Sequence, residues 1–514
     1  MHYVSIAVNA HDSGITLANE TDVILHLELE RFFNIKHYCI DDVDLLFAVL
    51  SLLFQDYAIF GKITFILSQH KRQVRLTAQI IDYIHREYPK SDIYEVEHLD
   101  AHAALCYLSN LDDALVVAMD GGGDRRVALE EPNFLVYLYK QGCLKLLDLN
   151  SSPRFDGRVW SLVSRKLFND RFGAGKTMGL AAYGEFSQKY QDVLLGKEFT
   201  HLGNIWDRTK WNHLFSQLET KDFQDSACLA YTLQTLFSKN IIATLKQYRH
   251  YSENIVLTGG CALNVITNNL IGNRLNYRNV YVPPCPSDEG QSLGALLYFC
   301  GEQGVRLKVH NLPYLGQGDE KNDLSESGFE KLVAALVQQK TVAWHMGKAE
   351  IGPRALGHRS LLAMPTGNSM KSRISEMIKK REPFRPVAPM VLEEYASDWF
   401  DFKFFSPYMS FAVKAKEKTQ QLAPAIVHAD GTSRVQTLSR NSNPILHELI
   451  SRIYAITGIP ILINTSLNIA GLPICNIEQH SKDFYVSTSV DVLNLNGAIY
   501  SKDRIAFSSG LWQN

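Results

Sequence analysis

No apolar run in the 514-residue sequence approaches the roughly 20 residues that a membrane span requires. There is no C-x-x-C pair either. The eight cysteines are scattered as Cys39, Cys106, Cys143, Cys228, Cys261, Cys285, Cys300 and Cys475, which argues against zinc ribbons and a disulfide framework and for buried, reduced thiols. An excess of one charge is also missing. The 52 Lys and Arg nearly balance the 54 Asp and Glu, leaving a formal net charge of −2, so no general field draws the chain to nucleic acid or to an anionic membrane. The opening residues, MHYVSIAVNAHDSG, carry neither a basic head nor a long apolar segment with a small-residue cleavage site, which predicts a cytoplasmic protein. Low-complexity tracts and charge blocks are absent as well.

What remains is a long globular chain. At roughly 150 residues per domain its length predicts two to four domains, and hydrophobic residues at 46% can fill more than one core. Tyr3 to Val8 reads as a strand, Asn9 to Gly14 as a polar turn and Ile15 to Ala18 as a second strand. The same figure returns about 110 residues later, where Ala114 to Met119 runs into Asp120-Gly121-Gly122-Gly123-Asp124 and then into Phe134 to Leu138, which points to a duplicated α/β half. A third strand, Asn254 to Leu257, ends in Thr258-Gly259-Gly260, and Ser226 to Gln247 has helical apolar spacing. The polar segment Gly316 to Ser327 marks a boundary, giving units 1–325 and 326–514; the second has strands at Thr341 to His345 and Pro460 to Asn464.

Three constellations can carry chemistry. His98 and His102 stand four residues apart, one above the other on a helix. With Asp120 at a strand end and Asp288 in Pro286-Ser287-Asp288-Glu289-Gly290, they suit iron(II), manganese or zinc. Such histidines also serve as caps or satisfied core residues. Gly121-Gly122, Gly173-Ala174-Gly175-Lys176-Thr177 and Gly259-Gly260 read either as phosphate cradles, because glycine bares its backbone N–H, or as tight turns. The middle one lacks the earlier glycine of a P-loop. Arg354, Arg359, Lys379, Arg381, Arg385 and Arg434, set among Pro, Gly and aromatic residues, form either an anion pocket or a solvated face, and Asn464-Thr465-Ser466 adds neutral donors.

Taken in order, these motifs resemble the O-carbamoyltransferases of the NodU/CmcH type over nearly the whole chain. The resemblance rests on His11-Asp12-Ser13, Glu30-Arg31-Phe32 with Lys36-His37, the His98/His102 pair, Lys176-Thr177-Met178-Gly179-Leu180, Gly259 to Asn264, Ser287 to Gly290, Gly352-Pro353-Arg354-Ala355-Leu356-Gly357, Arg381 to Pro386 and Asn464-Thr465-Ser466. It implies a duplicated actin-like ATPase domain of the TsaD-like type followed by a YrdC-like α/β domain. Carbamoyl phosphate would yield carbamate in the second domain. ATP would convert it to carbamoyladenylate in the first, for transfer to a hydroxyl of a sugar, an antibiotic or another small metabolite.

Carried over by position, His98, His102, Asp120 and Asp288 would hold iron(II), with manganese and zinc admitted and magnesium compatible beside ATP. Gly121, Gly122, Lys176, Gly259, Gly260 and Asn264 would bind ATP. Lys379, Arg385, Arg434, Asn464 and Ser466 would bind carbamoyl phosphate. His11, Lys36 and His37 would be catalytic, His11 as the base for the acceptor hydroxyl. The resemblance implies no nucleic-acid or membrane partner and leaves a homo-oligomer open. A threonylcarbamoyl transferase acting on tRNA and a nucleotide-gated actin-like binding protein are the competing expectations.

Overall fold

The computed structural model describes residues 1–122, 133–148, 153, 155–196, 208–319 and 323–502; Gly123 and Asp124 of the expected loop lie outside them. The architecture is mixed α/β with three sheets. The first sheet contains β1 (His2–Val8), β2 (Gly14–Asn19), β3 (Val23–Glu28), β4 (Ile63–Gln69) and β5 (Asp92–Glu97), ordered β3-β2-β1-β4-β5. The second contains β6 (Asp113–Met119), β7 (Phe134–Lys140), β8 (Cys143–Asp148), β9 (Asn254–Thr258) and β10 (Asn279–Tyr281), ordered β10-β9-β6-β7-β8.

Set side by side, these are one pattern. In each sheet the first three strands form an antiparallel meander, and the last two lie parallel to the first on its other side. β1, β4 and β6 are buried along nearly their whole length, as strands covered on both faces must be, which explains why they are predominantly apolar and, in β6, apolar without a break from Ala114 to Met119. The expected duplication is therefore present in the topology, and the expected helix appears as Phe223–Lys246, capped by Asp222.

The third sheet has eight strands: β11 (Val342–His345), β12 (Arg359–Ala363), β13 (Ala388–Leu392), β14 (Phe411–Lys414), β15 (Thr432–Leu438), β16 (Ile461–Ser466), β17 (Val492–Leu495) and β18 (Ala498–Ser501), ordered β14-β15-β13-β16-β12-β11-β17-β18. The chain leading into the expected boundary is packed: Tyr314 and Leu315 are buried, the Tyr314 ring stacks on His358 at 3.5 Å, and at the boundary's first residue Gly316 N–H donates to Ala349 O at 2.9 Å. Among the described residues no helix is long and apolar enough to cross a membrane.

Candidate active site

The carboxyl ends of parallel strands collect the first group of side chains, the place where open α/β sheets bind their ligands. The helix His98–Ala104 starts directly after β5, Asp120 directly follows β6, and Asp288 lies in the turn Asp288–Gly290 after β10. One ligand atom from each of His98, His102, Asp120 and Asp288 falls within 4.8 Å of all the others. His98 Nε2 is 3.3 Å from Asp120 Oδ2 and 3.5 Å from Asp288 Oδ1, and His102 Nε2 is 3.4 Å from Asp288 Oδ1. Both rings are fully buried, yet neither His102 Nε2 nor Asp288 Oδ1 makes a well-formed hydrogen bond. Buried polar atoms left this way cost free energy. Two imidazoles and two carboxylates converging on one point fit a divalent cation.

Burial would raise both acids. The hydrogen bond from His98 holds Asp120 below the usual carboxylate range, and the charges of His98 and His11 hold Asp288 far below it. Asp120 Oδ1 also accepts from Gly260 N–H at 2.9 Å. Gly259 sits at φ +82° with room for no side chain, since a Cβ there would lie 2.1 Å from Met119 O. Gly121 and Gly122 lie beside Asp120, and Gly121 packs against Gly157. The Asn264 side chain caps the helix Val265–Arg274 and donates to Gln234 Oε1. Lys176 lies 3.3 Å from both Asp170 and Glu382.

A second group adjoins the first. His11 Nδ1 is 2.9 Å from Asp12 Oδ2 and 3.6 Å from Asp288 Oδ2. His37 Nδ1 is 3.0 Å from Asp12 Oδ1, and its ring stacks on Phe172 at 3.9 Å. Burial disfavours the His11 cation, but Asp288 and Asp12 outweigh it and push the group up to about 9. Asp12 and Glu30, seen in the sequence only as members of the His11-Asp12-Ser13 and Glu30-Arg31-Phe32 motifs and given no role there, join His11 and His37 here, and so does Phe172, which was not singled out.

The basic group gathers in the third sheet's unit. Asn464 and Ser466 lie in β16 and Arg434 in β15. Arg381 donates to Ser466 Oγ at 3.2 Å and Asn464 Nδ2 to Gln436 Oε1 at 2.7 Å. Arg434 Nε, Arg381 Nε and Asn464 Oδ1 are buried without partners. Lys379 is wholly interior: its ammonium donates to Ser466 O, to Ser466 Oγ at 3.0 Å and to Asn468 Oδ1 at 2.7 Å, so it braces the strand end. Burial first, and then mutual repulsion, lower Arg434 well below the usual value, Arg381 to about 9 and Arg354 to about 10. At such values Arg381 and Arg354 are still charged near neutral pH, and an anion would offset both the burial and the mutual repulsion of these guanidiniums. Arg385 lies 3.6 Å from Glu382, and Lys36 feels the charges of both Arg385 and Arg381.

Residues 59–297 match the family described as Carbamoyltransferase N-terminus, and residues 333–502 the one described as Carbamoyltransferase C-terminus. Nodulation protein NolO of Bradyrhizobium diazoefficiens is 30% identical, across 77% of this chain and 77% of that protein. The chain belongs to the carbamoyltransferase family. This carbamoyltransferase is also 28% identical to nodulation protein NolNO of Sinorhizobium fredii, over 96% of its own length and 79% of that protein's. An uncharacterized protein of Methanocaldococcus jannaschii matches it at 30% over 80% of the chain and 84% of that protein. Among solved structures, that of HypF from T. kodakarensis aligns with 60% of the carbamoyltransferase and 49% of its own chain, at 13% identity and a TM-score of 0.37, too distant to bear on the fold.

Proposed function

We propose that this carbamoyltransferase is an ATP-dependent O-carbamoyltransferase that takes its carbamoyl group from carbamoyl phosphate. The observation that carries the reading is a basic pocket with buried, unpartnered Arg434 Nε and Asn464 Oδ1, belonging to a different sheet from the His98, His102, Asp120 and Asp288 cluster. One chain thus offers two places for anions, as a reaction with two phosphorylated substrates needs. The duplicated five-strand sheets favour an actin-like first domain over residues 1–325, and the basic pocket favours a YrdC-like second domain over 326–514.

In the second domain, carbamoyl phosphate and water give carbamate and inorganic phosphate. Arg434, Arg385 and Arg381 stabilise the departing phosphate, Asn464 reads the carbamoyl group, and Lys379 fixes Ser466. In the first, a carbamate oxygen attacks the α-phosphorus of ATP and pyrophosphate leaves, giving carbamoyladenylate. The Gly121-Gly122 turn offers backbone N–H groups to the phosphates, and Lys176 adds a cation; the Gly259 and Gly260 N–H groups already donate to Pro286 O and Asp120 Oδ1, so that turn holds Asp120 in place instead of cradling phosphate. Iron(II), or manganese or zinc, bound by His98, His102, Asp120 and Asp288, would supply positive charge for those phosphates. The acceptor hydroxyl then attacks the carbamoyl carbon and AMP leaves; His11, oriented by Asp12, takes the hydroxyl proton, with Lys36 and His37 lining the same mouth, and a divalent cation bound by Asp288 would favour the neutral ring this role needs by offsetting the carboxylate charge that otherwise keeps His11 protonated. The acceptor is a small hydroxylated metabolite.

Arg434→Ala separates the two half-sites. It is expected to abolish phosphate release from carbamoyl phosphate while leaving ATP affinity unchanged by equilibrium binding. Phosphate release at the parent rate would remove Arg434 from the pocket.

A further inference from the structure

Four consecutive residues, Glu28 to Arg31, make bonds in two directions. β3 ends at Glu28 and the short helix Leu29–Phe32 turns once, which brings Arg31 Nε to 2.8 Å from Glu28 Oε2. Arg31 is 3% exposed. Its remaining donors leave the first sheet altogether: Nη1 donates to Glu350 O at 2.6 Å, and Nη2 to Gly352 O. Glu28 Oε1 accepts from Gly352 N–H at 2.6 Å, so one backbone segment is held from both sides. Gly352 admits no side chain, since a Cβ would meet Pro284 O at 1.9 Å.

The gripped segment is the root of the loop that carries Arg354. The Glu350 carboxylate accepts from the N–H groups of Leu356 at 2.6 Å, His358 at 3.3 Å and Arg359 at 3.2 Å, so its position fixes the whole turn. In the other direction, Leu29 N–H donates to Ser13 O at 3.0 Å and Glu30 Oε2 accepts from His37 N–H at 2.9 Å. The same turn of helix therefore anchors the His11 and His37 loops.

We propose that Glu28 and Arg31 are a positioning pair that keeps the Arg354 loop in register with the His11 and His37 loops, so that carbamate formation and adenylation proceed one for one. This rests on the carbamoyl-phosphate reading above. Neither residue touches a substrate; a planar, five-donor guanidinium suits the task because it grips two carbonyls and a carboxylate at once, which an ammonium cannot.

The test is the ratio of phosphate to pyrophosphate released in a single turnover by full-length protein given ATP, carbamoyl phosphate and iron(II). A ratio does not depend on how much of a variant is folded. The parent is expected to release the two in equal amounts. Arg31→Lys and Glu28→Gln are expected to release phosphate in severalfold excess, with carbamate lost before it is adenylated. Equal release by both variants, however far total activity falls, overturns the pair's role and leaves a purely structural one. Absence of carbamoyl-phosphate-dependent pyrophosphate from the parent itself overturns the underlying reading instead, and the pair's role with it.

Discussion

His26 and His358 are interior rings held neutral by their surroundings. His26 bonds to Thr16 Oγ1 at 2.8 Å and Glu289 O at 2.9 Å, and His358 to Lys348 O at 2.6 Å; burial pushes each down from the usual 6.5 to about 4. Below pH 6.5 the unfolded chain binds protons that the native rings refuse, so stability is full above that pH and is lost as pH falls toward 4. At 1.36 kcal/mol per pH unit this amounts to on the order of 3 kcal/mol for each ring. Melting temperature should therefore drop between pH 7 and pH 5, and His358→Gln should flatten the drop; an unchanged slope would contradict the assignment. At the metal-ligand cluster, His102→Ala combined with Asp288→Ala should lose bound iron by elemental analysis, whereas stoichiometric iron in that variant would remove both residues from the ligand set. The His98-x-x-x-His102 spacing announced this group in the sequence. Arg31 was visible only as a member of the Glu30-Arg31-Phe32 motif and its role was not announced, because its partner Glu350 lies 319 residues away.

Among the elements, close backbone packing decides where the ligands stand. The helix Gln291–Glu302 crosses the helix His98–Ala104 at Gly294, where a Cβ would lie 2.0 Å from Ala101 O. Gly294→Ala must push the two helices apart. The expected cost is about 1–3 kcal/mol, as for overpacking elsewhere, together with weaker metal binding, read by calorimetric melting and metal titration on the same sample. A variant of parent stability and affinity would show that the crossing has slack. Strand existence was legible from unbroken apolar runs such as Ala114 to Met119, which burial on both faces imposes. Pairing was not. That β4 and β9 insert parallel beside β1 and β6 depends on contacts far apart in the chain, and periodicity carries no such information.

Across the whole molecule, a loop of the second unit lies on the first. Phe384 meets Phe168 at 6.0 Å and Phe223 at 6.2 Å, a Cβ on Gly179 would touch Pro386 at 3.5 Å, and Glu382 lies 3.3 Å from Lys176. Since Arg381 and Arg385 flank Phe384, Phe384→Ala should raise the KM for carbamoyl phosphate severalfold while leaving that for ATP nearly unchanged; equal shifts in both would mean the contact only holds the fold together. The Arg-Glu-Pro-Phe-Arg-Pro motif was visible in the sequence as a source of cations, but its apolar half had no stated partner until the fold placed Phe168 and Phe223 beside it. The measurement that bears most directly on the central claim is pyrophosphate release by purified protein given ATP, carbamoyl phosphate and iron(II), with each small substrate omitted in turn. Release only when both are present is the predicted result. Release without carbamoyl phosphate, or ATP bound with no release even when candidate hydroxyl acceptors are supplied, would contradict it.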